Sequence, residues 1–157
     1  MPKTKDAMSV KEYTEAQYKR LSEADHQADF IAWCDENPEN LPGLEMLYNI
    51  PNGGGGKIRG AQLKRTGLRA GMPDLCLPVS YCTQRVRQLE SGGFDAYYLG
   101  HIGLFIEMKK IGRYATPDQK AKHNQLRALG HAVEVCQGSD AAKIVVRKYY
   151  AGTLGSN

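Results

Sequence analysis

The segment His101–Lys109, HIGLFIEMK, constrains the chain more than any other. Its alternation reads as a β-strand. Ile102, Leu104, Ile106 and Met108 point to one side, and Phe105, Glu107 and Lys109 to the other. A carboxylate inside an otherwise apolar strand costs several kcal/mol unless it is paired or holds a metal. The strand therefore needs partners that cover its apolar sides, and a partner for Glu107.

The rest of the chain supplies candidates for both. A helix is predicted over Thr14–Glu36, with Glu23, Gln27, Phe30, Ile31 and Cys34 on one face, ended by Asn37-Pro38. The acid and amide at the start of that apolar stripe are out of place. Leu44–Ile50 reads as a strand, followed by Pro51-Asn52 and four glycines. Gly53–Lys57 is not a phosphate-binding P-loop, because Ile58 stands where the magnesium-binding hydroxyl is needed. Ala61–Leu68 reads as a short basic helix closed by Gly67 or the Gly71 turn, and Asp74–Val79 as a strand. Residues 80–100 carry the weakest signal, with a short helix expected over Thr83–Leu89 before Ser91-Gly92-Gly93. Thr116-Pro117-Asp118-Gln119 opens a helix with an N-cap, an N1 proline and a capping box, and Gly130 closes it. A strand over Ala132–Cys136 and a last helix to about Tyr150, capped by Ser139 or Asp140, complete the order. This is an α/β chain, a mixed central sheet flanked by helices.

Length and composition agree. A chain of 157 residues suits one domain and buries a sizeable core. Its uninterrupted apolar runs, such as Leu104–Ile106 and Ile144–Val146, are too short to span a bilayer, and the charged N-terminal segment has no signal-peptide pattern. The expectation is a cytoplasmic protein, of a bacterial or phage-infected cell, with no membrane partner. Residues 1–12 and 153–157 read as tails around a domain at 13–152. The cysteines Cys34, Cys76, Cys82 and Cys136 form no C-x-x-C pair and read as reduced thiols. The net charge of +4 is mild, but its distribution is not. Lys57, Arg59, Lys64, Arg65 and Arg69 form one basic run, and Lys109, Lys110, Arg113, Lys120 and Lys122 another. Either alone can be a solvated helix face; together they favour a polyanion.

Asp74, directly after Pro73, begins one strand; Glu107 lies near the end of the next, with Lys109 two residues on and on the same face. Two acids and a lysine at neighbouring strand ends make either a plain ion pair or a hard-cation site with a positive group beside it. The second arrangement suits phosphodiester hydrolysis, in which an oxygen-ligated cation supplies charge and Lys109 orients or deprotonates the attacking water.

Pro73-Asp74 followed by Glu107-Met108-Lys109 has the form of the P-D…(D/E)-x-K nuclease signature. Alongside it stand Ser22-Glu23…Gln27, Pro51-Asn52-Gly53-Gly54, Leu63-Lys64…Gly67…Gly71-Met72-Pro73-Asp74-Leu75 and Gly103–Lys109. Thr116-Pro117-Asp118-Gln119 and Gly130…Val133-Glu134-Val135-Cys136 follow in order. Together these resemble the virus-type replication-repair nuclease (VRR-NUC) domain over roughly residues 20–150, in a stand-alone, phage-type form. The resemblance implies a restriction-endonuclease-like PD-(D/E)XK core. It implies a Mg²⁺ or Mn²⁺ site made by Asp74, Glu107, the Met108 carbonyl and Glu23, with Lys109 catalytic. Gln119 would stand beside the site, although its capping box explains it equally well, and Gln27 would support Glu23. Asn52, Gly53 and Gly54 with Lys57, Arg59, Lys64 and Arg65 would meet the DNA backbone, joined by Lys110 and Arg113, and Tyr114 would be placed to stack on a base. The segment 80–100 would be an insertion, a DNA-contacting arm or a dimer contact. The implied activity is structure-selective cleavage of branched DNA, such as four-way (Holliday) junctions, by a homodimer. A monomeric flap or nicking nuclease and a non-catalytic DNA-binding module are the alternatives.

Overall fold

The computed structural model describes residues 10–37, 40–51 and 56–155. Two helices, α1 (Val10–Arg20) and α2 (Glu23–Glu36), precede a 3₁₀ turn at Leu44–Met46 and a two-residue strand, β1 (Tyr48–Asn49). Then come α3 (Gly56–Arg65), β2 (Leu75–Leu77), β3 (Tyr81–Gln88), β4 (Phe94–His101) and β5 (Leu104–Lys109). Helix α4 (Pro117–Ala128), β6 (Ala132–Gln137) and α5 (Ser139–Tyr150) end the chain.

The central sheet runs β1-β2-β5-β6. The first three strands are antiparallel to their neighbours, and β5 and β6 are parallel, joined by α4 as crossover. Alternation in β2 and β5 sorts the core into two layers. Leu75, Leu77, Leu104, Ile106 and Met108 meet Phe30 and Cys34 of α2 and Ala142, Val146 and Tyr149 of α5. Cys76 and Phe105 face the other way, onto Val133 and Leu126, with Ile50 and Met72 at the margin. All six residues of β5 are buried, because both sheet faces are covered. The mixed sheet and flanking helices are those expected from the sequence. No described helix is long and apolar enough to cross a membrane.

Several elements depart from the sequence reading. The expected helix over Thr14–Glu36 is two helices, broken at Leu21, because Ser22 caps α2 in a reciprocal box with Asp25. Of the proposed stripe, Phe30 and Cys34 are buried, and His26, not Gln27, is the buried residue of the turn before. Leu44–Ile50 is mostly 3₁₀ turn and loop, with only Tyr48 and Asn49 in the sheet. The basic helix starts earlier than Ala61, at Gly56, and Gly67 at φ 114° follows its end as expected. No helix forms at Thr83–Leu89: β3 pairs in full register with β4 from Tyr81↔His101 to Gln88↔Phe94. His101 therefore belongs to the hairpin, the chain bends at Ile102-Gly103, and Ile102 is 51% exposed rather than in the core. Finally, neither Ser139 nor Asp140 caps α5. Gly138 holds the N-cap position, and the Tyr18 hydroxyl of α1 accepts the Asp140 N–H at 2.9 Å. The expected N-terminal tail at 1–12 overlaps α1, which begins at Val10; residues 1–9 lie outside the described part.

Candidate active site

Glu107 lies on the central strand, and its side chain is fully buried. Extending the β2–β5 register by one residue puts Asp74 opposite it. An Asp74 carboxylate oxygen accepts the Met108 N–H at 2.8 Å, so the two acids are set by one ladder. Lys109 comes next on the same face. Its Nζ donates to Glu107 Oε1 at 2.5 Å and to the Met108 carbonyl at 3.0 Å, and lies 3.6 Å from Glu23 Oε2. Glu23 reaches this point because the Ser22 capping box starts α2 beside the strand end.

From the opposite face, α4 brings two more groups. Gln119 Nε2 donates to Glu107 Oε1 at 2.5 Å, while its Oε1 accepts the Thr116 N–H of the capping box. The two expectations for Gln119 are thus one geometry: capping fixes the side chain that contacts Glu107. One turn on, buried His123 places Nε2 3.4 Å from Glu107 Oε2. His123 escaped the sequence reading; its i, i+4 spacing from Gln119 puts both on one face of α4, but that face shows only once Gln119 is known to reach Glu107.

Charge in this pocket is set by burial first. Burial, with Asp74 and Glu23 adding repulsion, pushes the Glu107 carboxyl up to about 7 against the pull of Lys109. Burial also lowers the Lys109 ammonium, but Glu107, Glu23 and Asp74 outweigh it and hold the ammonium above its ordinary range. Lys109 is therefore a fixed positive charge, which suits it to orienting water and a phosphate rather than accepting a proton. Burial, with Arg127 and Lys109 nearby, lowers the His123 imidazole below its ordinary range.

An open cleft of about 470 Å³ leads to these groups, lined by Glu23, Asp74, Lys109 and Gln119 together with Gly60, Lys64 and Arg69. Gly71 closes its end at φ 77°. A Cβ there would lie 2.9 Å from the Asp118 carbonyl, so only glycine lets the Pro73-Asp74 segment approach α4 this closely. Of the residues expected to meet DNA, Lys64 lines the cleft and Arg59 and Arg65 are exposed on α3. Lys110 and Arg113 are exposed in the turn after β5, and Tyr114 is 74% exposed. Asn52, Gly53 and Gly54 lie outside the described residues, as does the Lys57 side chain. Gln27 is half-buried and forms no hydrogen bond with Glu23 among the described residues. Arg69, part of the basic run, is a cleft residue the sequence reading did not single out for DNA contact.

Among the described residues, no three His, Cys, Asp or Glu side chains are grouped to hold a metal ion. Glu23, Asp74 and Glu107 instead converge around the Lys109 ammonium, itself a cation seated on two carboxylates and a carbonyl. These are hard oxygen donors of the kind Mg²⁺ and Mn²⁺ take, so the residues fit such an ion.

Fold and site together define an α/β nuclease of the PD-(D/E)XK type, in which an acid on one strand and an acid-x-lysine on the next share a cleft. Residues 21–140 match the VRR-NUC domain, and the chain belongs to that family. It is thus a nuclease acting on DNA, in a class that uses divalent metals. A solved structure described as a VRR_NUC domain protein is similar, with 25% sequence identity and a TM-score of 0.62. The match covers 84% of this chain and 90% of that one. A comparison with curated proteins finds none that matches.

Proposed function

We propose that this protein is a Mg²⁺- or Mn²⁺-dependent endonuclease that hydrolyses phosphodiester bonds in branched DNA, acting as a homodimer on four-way junctions. The observation that carries the catalytic part is the Lys109 ammonium held between Glu107, the Met108 carbonyl and Glu23 in a cleft that Lys64 and Arg69 also line.

Asp74, Glu107 and the Met108 carbonyl would hold the ion, with Glu23 beside them. When bound, the ion supplies positive charge at the phosphorus and eases deprotonation of water. The chain's own groups do the rest. Lys109, as an ammonium, orients the attacking water and offsets charge that builds on the phosphate oxygens. Gln119 holds Glu107 in place. Lys64 and Arg69 in the cleft, with Arg59 and Arg65 beside it, neutralise flanking phosphates. No described element has the form of a base-reading motif, which supports recognition of shape over sequence. A dimer suits a four-way junction because a two-fold axis presents two sites to two strands related by symmetry. The nuclease domain in this reading spans residues 13–152, and the β3–β4 hairpin is an arm on it.

The test is cleavage of a four-way junction, a flap and a linear duplex, with Mg²⁺ or with EDTA, alongside light scattering. Preferred, metal-dependent junction cleavage by a dimer is the expected result. Preference for the flap by a monomer would establish the alternative nuclease instead, and undiminished cutting by Glu107→Ala would overturn the site.

A further inference from the structure

Glu107 has two carboxylate oxygens, and different groups hold each. Oε1 accepts from Lys109 and Gln119, both at 2.5 Å. Among the described residues, the hydrogen-bond partner of Oε2 is His123, at 3.4 Å. The imidazole is 1% exposed, and a buried polar ring needs a partner to offset its desolvation. Its place is not an accident of a mobile surface. Gln119 lies one helical turn earlier on the same α4, whose start is fixed by the Thr116 box and by the close approach of Gly71. The whole helix is therefore held in one register against β5, and that register presents an amide to one oxygen and an imidazole to the other.

We propose that His123 is a positioning residue: its Nε2–H steers Glu107 Oε2, so that the carboxylate keeps the orientation in which it would hold a divalent cation together with Asp74. This rests on the metal-dependent nuclease reading above. A group that orients a metal ligand contributes to metal affinity from outside the coordination shell, by roughly 10- to 100-fold in known metal sites. At 3.4 Å the contact is long for a hydrogen bond between these atoms.

The test compares His123→Leu, which fills the space without a donor, with His123→Gln, whose amide N–H reaches about as far as Nε2. Calorimetric titration of the protein alone with Mn²⁺ reads affinity, and junction cleavage against Mg²⁺ concentration reads half-saturation and the rate at saturating metal. Thermal melts report folding. We expect His123→Leu to weaken Mn²⁺ binding and raise the Mg²⁺ half-saturation by about tenfold, with a smaller effect on the saturated rate, and His123→Gln to recover most of that loss. Should His123→Leu not fold, His123→Asn takes its place, since its shorter reach also loses the contact. Wild-type Mn²⁺ affinity in the Leu or Asn variant overturns the proposal. So does equal loss in the Gln variant, which would mark a packing role, and so does a wild-type protein that binds no Mn²⁺ at millimolar concentration. A wild type that binds Mn²⁺ but cuts no branched DNA overturns the proposed function instead, and the calorimetric comparison still decides the role of His123.

Discussion

Gln119 shows how one side chain can serve folding and chemistry together. Its Oε1 closes the capping box with Thr116 while its Nε2 donates to Glu107, so the two roles can be separated only by mutating each end. Thr116→Ala should cost about 1 kcal/mol of stability, read from urea unfolding, and leave cleavage within a few fold. Gln119→Leu should lower cleavage by about tenfold or more, because Glu107 then loses an orienting donor. Gly71 works in the opposite way, by what it lacks. Gly71→Ala forces an L side chain to a positive φ and against the Asp118 carbonyl, so it should destabilise by more than about 1 kcal/mol. Cleavage should fall with it, since Pro73-Asp74 is displaced from α4. Asp74, Glu107, Lys109 and Gln119 were legible as site residues because a charge in an apolar strand or a polar pair at a helix start is conspicuous. His123 was not, because a lone histidine inside a polar helix carries no such contrast.

Among the elements, α5 depends on another helix for its start. With Gly138 at the N-cap position there is no side-chain cap of its own, and the Tyr18 hydroxyl accepts the Asp140 N–H while also contacting Ser139 Oγ. Tyr18→Phe should therefore cost about 1 kcal/mol, measured by urea unfolding, without touching the cleft. The same helix is tied to α2 by Lys143 Nζ on Asp29 at 2.7 Å. Lys143 holds the Asp29 carboxyl below its ordinary range, with Ser139 adding to the effect. A depressed carboxyl stabilises the fold above its unfolded pKa of about 3.9, and that contribution disappears as pH falls through the folded value. Lys143→Met should thus be less stable than wild type at pH 7 by under about 1 kcal/mol, since the Asp29 side chain is half exposed, with the gap closing below about pH 4. The helix starts at α2 and α5 and the β3–β4 hairpin were the elements least legible from local signals. Tyr81–Gln88 has no strong period of its own, and what makes it a strand is the eight-residue partner that returns from the Gly92 turn. Tyr149 secures the root of that hairpin by donating to the Val79 carbonyl, a contact between residues far apart in the chain.

For the whole molecule, the relation between charge and cleft yields separable effects. Removing Lys64 and Arg65 together should weaken DNA binding and lower the slope of log affinity against log salt by at most about two. Asp74→Ala should instead abolish turnover and largely spare binding. Equal loss of binding in both variants would show that cleft wall and active centre are not separate. The layered core also protects the thiols: burial pushes Cys34 and Cys136 up to about 12 and raises Cys76 as well. These three should react with a thiol reagent only on unfolding, at a rate that tracks urea concentration.

What the chain determined by itself was local. Strand alternation set the two faces of β5, the Thr116 box set the start of α4, and the acid-x-lysine spacing put Glu107 and Lys109 on one side, since each follows from backbone period or from hydrogen bonds a few residues apart. The tertiary structure decided the rest. It put Asp74 opposite Glu107, brought Glu23 within reach of Lys109, set His123 on the second carboxylate oxygen and paired β3 with β4. Each of those depends on which distant segments pack together, and packing is governed by burial and close approach over the whole molecule, which no short window of sequence contains.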